Sequence, residues 1–278
     1  MILSWYPGHM AKSMRSIEEN LKRVDIIFYV LDARAPLSSR NPQFDRLADK
    51  PVVYVLNKTD LADPAATAYF ISRLRGPSRS ALSLNATASG ASAALAAEAV
   101  RLCGDKLERS RQKGIRAIVR AMVIGVPNCG KSTLINNLAG RAKTVTGNRA
   151  GVTRGTQWVR INNYFEVLDT PGTLYPKFTD EAAAYNLAFI GSIKDEVLDS
   201  FELATKLISK LNALSPEILR RRYLSEAGIS SPADIARAKG LLLKGGLPDE
   251  ERASAALLDD FRKGRLGRIT LDEQRETV

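Results

Sequence analysis

Apolar positions along this chain follow two regimes. In the first, short unbroken apolar runs alternate with stretches at helical spacing. Asp25-Ile26-Ile27-Phe28-Tyr29-Val30-Leu31 and Pro51-Val52-Val53-Tyr54-Val55-Leu56 are rich in β-formers and predict buried strands. Ala81-Leu82-Ser83-Leu84 predicts a shorter strand, and Ala121-Met122-Val123-Ile124-Gly125 another buried one. Thr156–Ile161 and Tyr164–Leu168 predict a hairpin across Asn162-Asn163. Helices are expected over residues 11–22, with Met14, Ile17 and Leu21 on one face, over roughly 90–112, and from Lys131 to about Ala139. Buried strands alternating with helices predict an α/β fold with a mostly parallel sheet.

After about residue 178 the strand-like runs vanish. Residues 181–190, 195–212, 216–226, 232–243 and 249–264 carry helical spacing. Ser215-Pro216 and Ser231-Pro232 read as helix starts, a cap before a first-turn proline. Gly228 and Gly245-Gly246 read as stops. The expected division is therefore an α/β domain over 1–178 and a small all-α domain over 179–278.

Composition narrows the functional classes. The chain has 278 residues, 45% of them hydrophobic, with a mean hydropathy of −0.15. No stretch approaches the ~20 apolar residues of a membrane span, and the N-terminus is neither a signal nor a transit peptide. A soluble, cytoplasmic protein is expected. Cys103 and Cys129, with no histidine nearby, make neither a disulfide framework nor a zinc site. Net charge is +11, and its distribution matters more than its size. No acidic residue lies between Glu108 and Glu166, an interval holding Arg109, Arg111, Lys113, Arg116, Arg120, Lys131, Arg141, Lys143, Arg149, Arg154 and Arg160. A solvated surface would carry compensating acids; this one suits a polyanion.

The most specific chemistry lies in Gly125-Val126-Pro127-Asn128-Cys129-Gly130-Lys131-Ser132, followed by Thr133. It matches G-x-x-x-x-G-K-[ST], with a predicted strand before it and a helix after. Such a loop curls its backbone N–H groups onto phosphate oxygens at a helix N-terminus. Lys131 is expected to reach the β- and γ-phosphates and Ser132 to ligate Mg2+. Asn57-Lys58-Thr59-Asp60 follows a predicted strand and selects the base. Guanine presents N1–H and a 2-amino group side by side, and one carboxylate, Asp60, accepts both. Adenine would leave that carboxylate desolvated and unpaired. Asn57 is expected at the purine edge, with the Lys58 stem over the base. Ser83-Leu84-Asn85-Ala86 follows another strand, where the Ala86 N–H is placed for guanine O6. In Asp169-Thr170-Pro171-Gly172, Asp169 is expected to hold Mg2+ and the Gly172 N–H to touch the γ-phosphate. Thr153, in Gly151-Val152-Thr153-Arg154-Gly155, is expected to complete the Mg2+ shell. The substrate is thus GTP, and the product GDP.

The motif order is unusual. N-K-x-D and S-L-N-A precede the phosphate loop, the reverse of ordinary small GTPases. A circularly permuted P-loop GTPase domain explains this, and it leads D-x-x-G directly into the helical half.

The chain resembles the ribosome biogenesis GTPase A family, of the circularly permuted YlqF type. The residues carrying the resemblance are Trp5-Tyr6-Pro7-Gly8-His9-Met10-Ala11-Lys12, Asp32-Ala33-Arg34-Ala35-Pro36, Asn57–Asp60, Gly125–Ser132, Gly151-Val152-Thr153 with Gln157-Trp158, Asp169–Gly172 and Leu257–Arg268. The resemblance implies a bacterial factor in late assembly of the large (50S) ribosomal subunit. It also implies GTP hydrolysis stimulated by that particle, and rRNA contact through both domains. Further basic groups, Arg220-Arg221-Arg222, Arg237, Lys239, Arg262, Lys263, Arg265 and Arg268, stand in the helical half. A monomer is assumed, with the precursor particle, its rRNA and ribosomal proteins as partners. The alternative is a GTPase switch acting on a protein partner without nucleic acid.

Ras-like enzymes orient the attacking water with a glutamine after D-x-x-G. Here Thr173 and Leu174 follow, and threonine is too short to do this. Two other candidates stand. Asn128 corresponds to an asparagine that, in related GTPases, helps hold K+ beside the phosphates, where it offsets developing charge. His9, the only histidine, lies in the family's Y-P-G-H-M motif and titrates near neutrality. A structural role for His9 stands beside the catalytic one.

Overall fold

The apolar runs become six strands: β1 (Ile26–Asp32), β2 (Val52–Asn57), β3 (Arg79–Ser83), β4 (Val119–Ile124), β5 (Gln157–Arg160) and β6 (Phe165–Asp169). A computed structural model describes them within residues 8–45, 50–88, 91–140, 156–174, 180–194 and 198–274. They form one sheet in the order β3-β2-β1-β4-β6-β5. All pairings are parallel except the β5–β6 hairpin. The helices are α1 (Gly8–Leu21), α2 (Pro42–Asp45), α3 (Pro64–Leu74), α4 (Ala91–Leu102), α5 (Gly104–Gln112), α6 (Lys131–Leu138), α7 (Glu181–Phe189), α8 (Ser200–Leu214), α9 (Glu217–Tyr223), α10 (Pro232–Lys239) and α11 (Glu250–Arg262). The expected P-loop GTPase sheet, with a helical C-terminal region, is therefore present.

Alternation along β1 sorts the two sheet faces. Ile27, Tyr29 and Leu31 face a core closed by Met14 and Ile17 of α1 and Ala66, Phe70 and Leu74 of α3. Ile26, Phe28 and Val30 face the other core, to which α4, α6 and the whole helical half contribute. Leu187, Leu207, Ile235 and Leu257 belong to that same apolar cluster, so the helical half packs continuously with the sheet's partners.

Several expected boundaries shift for local reasons. The helix expected over 90–112 is broken at Cys103 into α4 and α5. Asp63-Pro64 starts α3, with the Asp63 side chain accepting from the Ala66 N–H and proline in the first turn. Ser231 caps α10 with a full capping box, but the Ser215 side chain caps nothing and Pro216 occupies the cap position of α9. Gly228 and Gly245-Gly246 are not the stops. Leu224 (φ 50°) ends α9 and Gly240 (φ 65°) ends α10.

Beyond α11 the chain returns to the nucleotide half. Leu271 N–H donates to the Arg34 carbonyl at 2.7 Å, and the Asp272 carboxylate accepts from the Leu37 and Ser38 N–H groups. Much of the helical half's basic charge is committed inside the protein. Arg222 makes a two-point pair with buried Asp260, which also accepts from Arg265. Arg262 donates to the Ala188 and Phe189 carbonyls. Burial alone would raise the Asp260 carboxyl; Arg222 and Arg265 outweigh it and hold it below its usual range.

Candidate nucleotide site

Loops following β1, β2, β3, β4 and β6 meet at the carboxyl edge of the parallel sheet, where ligands bind in such folds. The loop after β4 is shaped by two glycines that tolerate no side chain. A Cβ at Gly125 (φ 150°) would sit 2.3 Å from the Val30 carbonyl, and one at Gly130 (φ 101°) would sit 2.1 Å from Asn57 Nδ2. α6 then begins at Lys131 with no side-chain cap, so a phosphate is the natural partner for its first N–H groups. The Lys131 ammonium lies inside the curl, donating to the Gly125 carbonyl at 3.1 Å and the Val126 carbonyl at 2.8 Å. Cys129 is fully buried against Gly125, and burial pushes its thiol up, so its contribution to the loop is its backbone. Ser132 and Thr133 are half-exposed on the first turn of α6.

D-x-x-G closes onto this loop. Asp169 ends β6, fully buried, in register with Val123 of β4. A Cβ at Gly172 would fall 2.6 Å from Pro127 Cα and 3.0 Å from Lys131 Nζ, so this glycine backbone lies against the phosphate loop. Thr173 is fully buried; its N–H donates to the Gly125 carbonyl and its hydroxyl to the Pro171 carbonyl. Its side chain is thus committed to the loop, in keeping with its shortness as a water-orienting group. Ser132 and Asp169 are hard oxygen donors and suit Mg2+. When bound, such an ion neutralises charge on the β- and γ-phosphates. Among the described residues no group of three or more His, Cys, Asp and Glu side chains could hold another metal.

Base-recognition residues depart from expectation in instructive ways. Asp60 is exposed, its carboxylate open to a ligand. Asn57 is buried and braces three loops rather than simply facing a base. Its Nδ2 donates to the Cys129 carbonyl and its Oδ1 accepts from the Ala86 N–H, each at 2.8 Å. The expected Ala86–guanine O6 bond therefore requires an N–H already bound to Asn57. The Asn85 carboxamide oxygen is engaged in a local surface turn, accepting from the Thr87 N–H and hydroxyl. Thr153 lies outside the described residues. His9 falls in the first turn of α1, with its side chain outside the description.

Sequence reasoning gave Asp32 and Arg34 no role, yet they form the buried charge centre of the site. Arg34 makes a two-point pair with Asp32 at 2.9 and 2.8 Å, and Lys58 Nζ joins at 2.8 Å. Lys58 (φ 61°) also donates to the Asn128 carbonyl at 2.6 Å, clamping the base loop to the phosphate loop. Burial would raise the Asp32 carboxyl; Arg34 and Lys58 overcome this and hold it far below the usual carboxylate range. Arg34 continues outward, donating to the Arg262 carbonyl and lying 5.5 Å from the Phe261 ring centroid. The signal was available: D-A-R-x-P directly after a buried strand puts an acid and a base where neither can be solvated singly.

The helical half also touches the phosphate loop. Asn128 (φ 58°) donates from Nδ2 to the Gly191 carbonyl at 2.7 Å, and Ser192 Oγ donates to the Pro127 carbonyl at 2.8 Å. The loop after α7 is therefore bonded to the phosphate-binding loop.

Comparison with known proteins agrees with this geometry. The family described as "50S ribosome-binding GTPase" matches residues 120–221. A protein of Priestia megaterium named ribosome biogenesis GTPase A is 38% identical over 99% of this chain and 98% of its own length. One of the same name from Bacillus cereus is 39% identical over 99% of this chain and 95% of its own. The solved structure of GNP-bound YlqF from T. maritima superposes with a TM-score of 0.65 at 28% identity, covering 96% of this chain and all of that one. On these matches and this site, the chain belongs to the ribosome biogenesis GTPase A family, GTPases with a circularly permuted motif order.

Proposed function

We propose that this GTPase acts in late maturation of the large ribosomal subunit, docking on rRNA of the precursor particle and using GTP hydrolysis to time its release. The observation that carries this reading is the pairing of arginines with aromatic rings around the β5–β6 hairpin. The guanidinium groups of Arg23 and Arg120 stand 5.6 and 5.8 Å from the Trp158 ring centroid on β5, and Arg120 also pairs with Glu166 at 3.2 Å. Arg116 stands 4.4 Å over the ring of Tyr164, which is 59% exposed. Arginine-backed aromatic rings offer stacking surfaces to unpaired bases, and the acid-free interval supplies charge for the backbone.

In this reading residues 1–178 form the switch domain and 179–278 the helical domain that reads it through Gly191 and Ser192. Chemistry is divided between Lys131, which holds the phosphates, and Thr153, which completes the Mg2+ shell. Asn128 holds K+, and His9 orients the attacking water once the particle orders the N-terminus. The factor works as a cytoplasmic monomer. Among the described residues no helix is long and apolar enough to cross a membrane.

Co-sedimentation with purified large subunits across a salt series tests the docking face. Arg116→Ala with Tyr164→Ala is expected to weaken binding ~10-fold or more and to flatten the salt dependence. Unchanged binding by the double variant would move the rRNA contact elsewhere. No sedimentation of the unaltered protein at any salt would favour a protein partner without nucleic acid.

A further inference from the structure

We infer that the strap after α11, through Arg268, positions Asp60 and so sets the protein's preference for guanine. The segment bearing Asp60 has little structure of its own. Leu61 N–H reaches the Lys58 carbonyl and Thr59 N–H the Leu84 carbonyl, while the Asp60 carboxylate faces solvent. Ala62 N–H closes a further weak turn on the Thr59 carbonyl, and the Thr59, Leu61 and Ala62 carbonyls are held from outside, by residues more than 200 positions away. Arg268 donates from its η2 nitrogen to the Thr59 carbonyl at 3.0 Å and from Nε to the Ala62 carbonyl at 3.2 Å. Between them, Ile269 N–H donates to the Leu61 carbonyl at 3.0 Å. Thr270 Oγ1 then accepts from the Asp63 N–H at 3.2 Å. Every residue flanking Asp60, from Thr59 to Asp63, is thus bonded to the strap.

Two further features fix the strap's approach. Gly264 turns the strap at φ 71°, a left-handed conformation that favours glycine, and packs against the tip of the Leu61 side chain. Thr270 Oγ1 donates to the Ala33 carbonyl and Leu271 N–H donates to the Arg34 carbonyl, tying the strap to the buried Asp32–Arg34 pair. Guanine recognition by one carboxylate needs two hydrogen bonds in the base plane, which tolerates little misplacement. A planar guanidinium spanning two carbonyls fixes both position and tilt of the turn, which an ammonium cannot do. Arg268 touches no nucleotide in this account; it is a positioning residue, and it makes base preference depend on the docked helical half.

The inference rests on Asp60 reading guanine, and the test separates the two. Dissociation constants of GDP and inosine diphosphate, which lacks the 2-amino group, are measured for the unaltered protein, Arg268→Ala, Arg268→Lys and, as a control on α10, Arg237→Ala. The unaltered protein and the control are expected to prefer GDP by ~10-fold or more, the worth of one hydrogen bond to a charged group. Arg268→Ala is expected to lose most of that ratio and Arg268→Lys to recover part of it. A ratio unchanged in Arg268→Ala, whatever happens to its melting temperature, would overturn the inference. Equal affinities in the unaltered protein would instead remove the Asp60 reading and the inference with it.

Discussion

Lys131→Ala is expected to lower particle-stimulated GTP turnover by ~10²–10³-fold, the loss found when one preorganised charge-stabilising donor is removed. The ammonium sits beneath the loop, held by the Gly125 and Val126 carbonyls, with the Gly172 backbone alongside it. Alanine there keeps the loop's glycines and the start of α6, so the fold survives while the ammonium held inside the curl is gone. Multiple-turnover phosphate release, with circular dichroism as a check on folding, measures this. Retention of more than ~10% of the turnover would mean that Lys131 does not face the transferred phosphoryl group.

Asp32→Ala is expected to destabilise the protein by ~3–5 kcal/mol, because it leaves the buried Arg34 guanidinium without its counter-charge. Arg34 is almost fully enclosed, with one guanidinium nitrogen reaching the Arg262 carbonyl and the others on Asp32. The melting temperature should fall by roughly 6–20 °C for a chain of this size. A fall below ~2 °C would mean that the pair contributes little beyond its packing. The sign with pH follows from the direction of the shift. A carboxyl held low in the folded state stabilises above its unfolded pKa, and that contribution is lost only as pH falls through the depressed folded value. The difference between the two proteins should therefore persist at mildly acidic pH and close only in strong acid.

Sheet and nucleotide motifs were legible because each is local. Strands β1 and β2 are almost wholly apolar and β4 is apolar from Ala121 onward, and the hairpin turn falls at Asn162-Asn163 as the pattern demands. The helix α3 went unread although Asp63-Pro64 marks its start and Ala66, Phe70 and Leu74 recur at helical spacing. What stayed hidden is non-local. Asn57 looks like a base contact in sequence; its brace between Cys129 and Ala86 appears only when three loops meet. The arginines of the C-terminal segment read as an RNA-facing cluster, yet Arg222, Arg262, Arg265 and Arg268 all bond within the protein. Charge counting cannot distinguish a solvated arginine from one whose partner lies far away in the chain. This also moves the proposed RNA contact toward Arg116 and Tyr164, where a guanidinium group lies over an exposed ring.

The central claim, a GTPase switched by the large ribosomal particle, is tested most directly by GTP turnover in potassium buffer with and without purified large subunits, alongside a sodium control. The account predicts a strong rise in rate on adding subunits, and loss of that rise in sodium. Equal, slow rates in all four conditions would contradict it.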